Sequence, residues 1–447
     1  MKPFGLLLVL LGSSFCLAQH NNRSARDLQF RFGNPGARSL GFGGAFIALA
    51  DDATAPVANP AGMVRTARRS VSLELNYHRE ENEIPFQAGV IRQTNIFEFD
   101  FDFETSSAPE SSFQVPFLAV VFPKDNLRYG FFAHQQADLK RNYTTGDIIL
   151  CDIAANFYPE CENDPSPDTF PPSTDVLDLQ IRNLGASLAY DFGGRFSAGL
   201  SVFFSDLDYR ADSTIELPQI AGVAVIERLA RGDDQDFGAI AGFLLKLTDE
   251  LSMGVTYKRQ PEFEYTARLV KSIPVPRVPD DFETVALFKI PDALGFGISV
   301  NPVDTVTINL DANRIYYSQI TDHLLDFTQV ALDGETRITQ TMADVTEIHL
   351  GLEWIFPQMT NPLSVRVGYW LDPYHAAVNT VEDSQILEGP ASDPRVRDVF
   401  FLHQFEENEN HYALGLGWTF GAQFQFDLAV EASENSQTGT LSGIYRF

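Results

Sequence analysis

No stretch of this 447-residue chain offers 18 consecutive apolar residues, so nothing in it is built to cross a bilayer as a helix. A β-barrel is left open by that absence, because spanning strands are short and polar on one face. Basic residues are scarce: 32 Lys and Arg stand against 60 Asp and Glu, a formal charge of −28. Phosphate recognition needs a basic face, which argues against nucleic acid as a partner. Catalytic signatures are missing too. The histidines (His20, His78, His134, His323, His349, His375, His403 and His411) form no H-E-x-x-H or other close metal pair, and no G-x-S-x-G elbow occurs. The expectation is a non-enzyme with no cofactor and no metal site. Cysteine is nearly absent, with only Cys16, Cys151 and Cys161.

What is plentiful is phenylalanine, at 37 residues, in a chain whose mean hydropathy is only −0.10. That balance suits a protein that alternates greasy and polar residues. Lys2, the apolar run Phe4–Leu11 and the small-x-small step Cys16-Leu17-Ala18 read as a secretory signal peptide over 1–18. In the exported chain, Cys151 and Cys161 are then a candidate local disulfide.

From about Ser70 onward the dominant period is two. In His411–Phe420, Tyr412, Leu414, Leu416, Trp418 and Phe420 share one face, and Ala413, Gly415, Gly417 and Thr419 the other. Similar alternation predicts fourteen strands near 70–79, 112–123, 127–141, 177–192, 196–214, 235–248, 251–269, 284–301, 305–324, 336–356, 362–375, 409–420, 423–435 and 439–447. Tight turns at 124–126, 193–195, 249–250, 302–304, 358–361 and 421–422 alternate with long connections near 80–111, 142–176, 215–234, 270–283, 325–335 and 376–408. Short turns at one end and long loops at the other are the habit of outer-membrane barrels. A soluble sandwich has no reason to sort its loops this way.

Charge is sorted along with length. Asp and Glu far outnumber Lys and Arg over 80–112, 142–175 and 376–410, whereas 20–69 carries Arg23, Arg26, Arg31, Arg38, Arg65, Arg68 and Arg69. The acidic end is therefore read as the outer face, with the basic N-terminal segment inside or beneath the barrel. No stretch spaces its oxygens like an EF-hand loop. Aromatic residues gather near the tight turns, among them Tyr190, Phe192, Phe196, Trp354 and Phe420, as rings at a headgroup level would.

Residues 36–63 read GARSLGFGGAFIALADDATAPVANPAGM. Gly41, Gly43 and Gly44 permit close backbone approach. No hydrophobic strand precedes them, against a nucleotide-binding fingerprint. Asp51 and Asp52 are placed to cap a short helix over 53–58, and Pro60 fixes a turn after Asn59. In Leu127–Arg141 the alternation fails at His134-Gln135-Gln136-Ala137, which fits a bulge. Pro116 and Pro291 must each lack a ladder hydrogen bond. Arg366, Asp311 and Glu431 are read as pore-lining charges.

The glycine-rich run, the Asp51-Asp52-Ala53 step and Asn59-Pro60-Ala61 resemble the opening of the FadL-type outer-membrane transporters of hydrophobic compounds. The resemblance continues in Ile290–Val300 and His411–Phe447. It implies an all-β transmembrane antiparallel barrel (70–447) with an N-terminal plug or hatch (19–69) containing Gly41, Gly43, Gly44, Asp51, Asp52, Asn59, Pro60 and Ala61. It implies outer-membrane location with both termini periplasmic. A kinked third strand at His134, Gln135 and Gln136 would open a lateral gap. The implied function is passive uptake of long-chain fatty acids or aromatic hydrocarbons, with Phe97, Phe99, Phe101, Phe103, Phe157 and Phe170 as candidates to line an external groove. The implied partners are outer-membrane lipid, a small hydrophobic substrate and, through the C-terminal strand ending at Phe447, the barrel assembly machinery. PorV-like barrels of the type IX secretion system share the same opening, so a role in protein secretion or surface attachment is the alternative.

Overall fold

The computed structural model describes residues 33–95, 98–152, 168–170, 172–217, 224–271, 282–322, 338–375, 378–381, 408–421 and 423–447. The expected signal peptide, Phe97, Phe157 and Cys161, and with Cys161 the disulfide, lie outside these residues. The chain forms a closed antiparallel barrel of 14 strands. In chain order these are β1 (Ser70–Asn95), β2 (Glu98–Lys124), β3 (Leu127–Thr144), β4 (Ser173–Asp191), β5 (Phe196–Leu217) and β6 (Ala224–Lys246). Then come β7 (Leu251–Arg259, continuing as Glu262–Lys271), β8 (Phe282–Lys289, continuing as Ala293–Val303) and β9 (Val306–Ile315). The last five are β10 (Val345–Phe356), β11 (Leu363–Asp372), β12 (Glu409–Phe420), β13 (Phe424–Ala432) and β14 (Ser436–Arg446). Each strand pairs with the next, and β14 closes on β1 from Ser70–Arg446 to Glu80–Ser436. Pro261 and Pro291, which cannot donate to a ladder, sit at the interruptions of β7 and β8.

Several expected boundaries move. Residues 80–111 are not a loop: β1 and β2 run for 26 and 27 residues and stay paired out to Asn95 and Glu98. Phe99, Phe101 and Phe103 alternate with Asp100, Asp102 and Glu104, so the period of a strand persists, and only the density of charge suggested a loop. Residues 215–234 are likewise mostly strand, β5 and β6 pairing as far as Leu217–Ala224. Within 142–176, Ile148–Asp152, which contains Cys151, lies parallel to β1, with Gly89 opposite Ile148. The expected strand over 305–324 stops at Ile315 and gives way to a helical turn at Ser318–Thr321.

The exterior carries an apolar belt. Leu184, Leu188 and Tyr190 on β4, Leu200 and Val202 on β5, and Phe237, Phe243 and Leu245 on β6 all point outward and are exposed. On β6 the belt runs from Phe237 to Leu245, near the 9–11 residues that a tilted strand needs to span a bilayer. Further from the tight turns the pattern inverts. On β4, Leu177, Leu179 and Ile181 are buried inside the barrel while Asp178, Gln180 and Arg182 face out. On β5, Leu207 and Tyr209 turn inward while Asp206, Asp208 and Arg210 turn out. Lipid wets the belt, so its exterior is oily; above it water wets the exterior, and the oily residues move inside. Rings rim the belt at the tight turns, with Tyr190–Phe192 at 4.8 Å, Phe192–Phe196 at 5.5 Å and Trp354–Phe356 at 5.7 Å.

Residues 37–65 lie inside the barrel. They form α1 (Ala37–Gly41), α2 (Ala55–Ala58) and a 3-10 turn (Pro60–Arg65), all too short to persist alone. Their support is burial: Phe42, Ala45, Phe46, Ala53, Ala58 and Met63 are fully enclosed. Glycines on the lumen face make the seats. A Cβ at Gly368 would lie 2.0 Å from Gly43 N, one at Gly199 2.3 Å from Pro60 C, and one at Gly351 2.5 Å from Phe42 O. Gly43 itself bends the plug at φ +62°, which a side chain disfavours.

The belt yields a measurable contrast. Leu350→Arg, an exposed outward position in the middle of β10, is expected to cost about 2–4 kcal/mol in denaturant unfolding from lipid vesicles. Gln235→Arg, outward on β6 above the belt, is expected to change stability by less than about 0.5 kcal/mol. Equal costs at the two positions would contradict a lipid-facing belt.

Candidate functional site

The plug is tied to the wall by a chain of charges that runs from partly exposed Asp51 and Arg38 to fully buried Arg366 and Asp427. Arg38 on α1 pairs with Asp51, lies 3.7 Å from Asp52 and reaches Glu353 of β10 at 3.6 Å. The other oxygen of Glu353 accepts from Arg366 of β11 at 2.6 Å, and Arg366 donates to Asp427 of β13 at 2.7 Å. Burial would push the Asp51 carboxyl up, but Arg38, helped by Arg65, outweighs it and holds Asp51 below the usual carboxylate range. Burial dominates at Asp52 and pushes it up. Arg38 loses solvation too, yet Asp51, Glu353 and Asp52 hold its guanidinium firmly charged. Backbone contacts add to the tie. Asp311 of β9 accepts from Phe46 N at 2.6 Å and Ile47 N at 2.8 Å, and Arg65 donates to the Ser252 hydroxyl of β7 at 2.9 Å while bracing Ala48 O and Leu49 O within the plug.

The motif residues therefore have roles that differ in detail from those expected. Asp51 is the ion partner of Arg38, not a helix cap. Asp52 accepts from Thr54 N at 2.8 Å and so braces the turn before α2. Asn59 accepts from Ala61 N and donates to Ile47 O at 2.9 Å and to Phe243 O of β6 at 3.3 Å. Pro60 opens the 3-10 turn. Arg366 and Asp311 anchor the plug instead of lining an open pore. Their partners are remote in sequence, so no local pattern could have paired them.

At the other side of the plug the wall itself is broken. The β2–β3 ladder runs from Lys124–Leu127 and stops at Phe117–His134. Beyond it β3 pairs only with β4, through a bulge between Gln135 and Ala137. Pro116, the next residue on β2, has no N–H to continue the ladder, and the β1–β2 register shifts opposite it, between Glu74 and Asn76. His134, Gln135 and Gln136 thus sit where the seam opens. Gln114 of β2 reaches Asp138 of β3 across it at 2.9 Å, and Gln136 accepts from Asn183 of β4 at 2.8 Å. The outward oily row of β2 continues past the break, with Val115 at 55% and Phe113 at 71% exposure. The opening therefore begins at the level of the apolar belt. A second break, between β6 and the upper part of β7, spans the upper edge of the belt at Phe237, and there Asp236 and Asp234 accept from Glu262 N and Glu264 N at 2.9 and 2.7 Å.

A cavity of about 220 Å³ connects plug and seam. Gly43 and Gly44 of the plug, Pro116 of β2 and the His134–Ala137 bulge all line it, with Trp370 and His349 opposite. Ala137 and Leu139 also belong to an apolar cluster filling the upper barrel, which includes Leu179, Ile181, Phe263, Phe288 and Tyr317. This inward oily layer is what sequence reasoning missed. Its signal was present in the inverted alternation of residues 177–182. The expected groove residues Phe99, Phe101 and Phe103 lie on the β1–β2 extension, opposite Gln93, Ile91 and Gly89 in the ladder. Phe170 pairs with Ile148.

No protein-family model and no curated protein matches the chain. Solved structures do. The chain is similar to the CymD monoaromatic hydrocarbon channel at 14% identity, covering 94% of this chain and 99% of that one, with a TM-score of 0.54. It is similar to the P. putida toluene transporter TodX at 13% identity, covering 93% and 99%, with a TM-score of 0.56. For the Ralstonia pickettii toluene transporter TbuX the identity is 12%, the coverage 93% and 99%, and the TM-score 0.51. The chain has the fold of these channels, a closed 14-strand barrel with its own N-terminal segment lodged in the lumen.

Proposed function

We propose that this protein is a passive outer-membrane channel for small hydrophobic molecules, aromatic hydrocarbons or long-chain fatty acids, that releases its cargo sideways into the bilayer. The observation that carries the reading is the β2–β3 ladder stopping at Phe117–His134 while the lipid-facing row of β2 runs on through Val115 and Phe113. An oily solute gains nothing by crossing a polar vestibule. The apolar layer around Ile181 and Phe288 offers it a first resting place, and the cavity beside the bulge leads from there to the seam. The toluene and hydrocarbon channels of the same fold support this cargo class.

The plug serves as a floor in this scheme. Its ion chain and glycine seats close the short-turn end, which is periplasmic, so the direct axial route is blocked and the lateral one is favoured. The C-terminal strand closes against β1 with Tyr445 and Phe447 exposed, where assembly machinery would read it.

Two expectations follow. Joining Pro116→Val to a deletion of Gln136 restores the ladder and should reduce cellular uptake of a labelled aromatic hydrocarbon or fatty acid to the level of cells lacking the protein, with the barrel still folded. Undiminished uptake would remove lateral release. Undiminished uptake after deletion of the whole gene, with a protein cargo stranded inside the cell, would instead favour the secretion-linked alternative. Separately, Arg366→Ala leaves Asp427 with no guanidinium partner and Glu353 with Arg38 alone, and is expected to cost roughly 3–5 kcal/mol and to let small polar solutes leak through in liposome swelling. An unaltered barrier and stability would show that the floor does not depend on these charges.

A further inference from the structure

We propose that Asp372, Glu409 and His411 form a binding site for a divalent transition-metal ion of the Zn2+ class, at the neck of the connection between β11 and β12. The site is independent of the transport reading. Among the described residues, ligand atoms of these three side chains all lie within 4.8 Å of one another. Asp372 ends β11 and stands directly opposite Glu409, which begins β12. Two carboxylates facing each other on one pair of strands repel, and a cation between them removes the conflict.

The histidine supplies the independent sign of a ligand. His411 is 1% exposed, stacks on Trp370 at 3.8 Å and makes no hydrogen bond with either ring nitrogen. A buried imidazole left in that state is unfavourable. Its Nε2 points to the Glu409 side, 3.7 Å from Oε2, and its Nδ1 lies 3.3 Å from Glu431 Oε1. Glu431 is held in place by Trp370, whose indole N–H donates to it at 3.0 Å. This is the layout of a metal-ligating histidine whose second nitrogen is oriented by a carboxylate. On the other side, His375 Nδ1 is 3.3 Å from Asp372 Oδ1 and would orient that ligand in the same way. Nitrogen and carboxylate donors together suit Zn2+, whose bonds of about 2.0–2.2 Å require the two partly exposed carboxylates to swing inward. The sequence reading expected no metal site because Asp372 is remote in the chain from Glu409 and His411 and no motif joins the three. An ion held here clasps the two ends of the acidic connection 373–408.

The test is isothermal titration of the full-length, chelator-treated barrel in detergent with Zn2+, in the presence of excess Mg2+ to saturate diffuse acidic sites. One equivalent should bind, and X-ray absorption at the zinc edge should show imidazole in the coordination shell. His411→Gln and, independently, Asp372→Asn should abolish that equivalent, while Asp304→Asn at a distant tight turn leaves it intact. Folding of each variant is checked by its heat-dependent gel mobility. No stoichiometric binding, or binding unchanged in folded His411→Gln, would overturn the proposal and leave His411 as a structural contact between Glu409 and Glu431.

Discussion

Inside hydrocarbon every peptide N–H and C=O must find a partner, because water is not there to supply one. The rest of this architecture follows from how the barrel meets that demand and where it does not. Fourteen strands closed on themselves leave no edge. The break between β6 and β7 is answered by Asp234 and Asp236, whose carboxylates accept from the freed N–H groups. The break between β2 and β3 opens at belt level and is bridged by the side chains of Gln114 and Asp138. A proline next to the last pair, Phe117–His134, and a bulge across from it hold the seam apart. Such a feature is costly in lipid, which is why a functional role is the natural reading of it.

The interior solves a different problem. A barrel this wide cannot be filled by wall side chains alone, and an unfilled one would leak. The chain fills its own lumen with a segment that has almost no secondary structure to stabilise it. Its stability is borrowed from the wall, from glycines that let the backbones touch and from carboxylates and guanidiniums that neutralise one another. Arg366 is the hinge pin of that network, fully buried yet paired on both sides. The same groups that admit the plug therefore close the short-turn end of the lumen.

Much of this was legible in the sequence, for a physical reason. A strand with lipid on one face and polar groups on the other must alternate, and the tight turns must be short, so the strand count and the closed topology were written locally. The failure of alternation at His134–Ala137 marked the bulge in the same way. What misled was charge. The β1–β2 extension alternates Asp100, Asp102 and Glu104 with Phe99, Phe101 and Phe103 in its sequence, and a strand so rich in charge looks like a loop when only composition is weighed. The inverted pattern at Leu177–Arg182 escaped notice because it required knowing where the bilayer ends. Partners such as Arg366 with Glu353 and Asp427, or Asp311 with the plug backbone, depend on tertiary proximity, which no local spacing encodes.

The most direct test of the central claim is a reversible lock across the seam. Gln114→Cys with Asp138→Cys places two thiols where the side chains already meet at 2.9 Å. Uptake of a small hydrophobic solute should fall when the disulfide is formed and return when it is reduced. Uptake that is identical in the oxidised and reduced states, with the cross-link confirmed by mass spectrometry, would contradict passage through the wall.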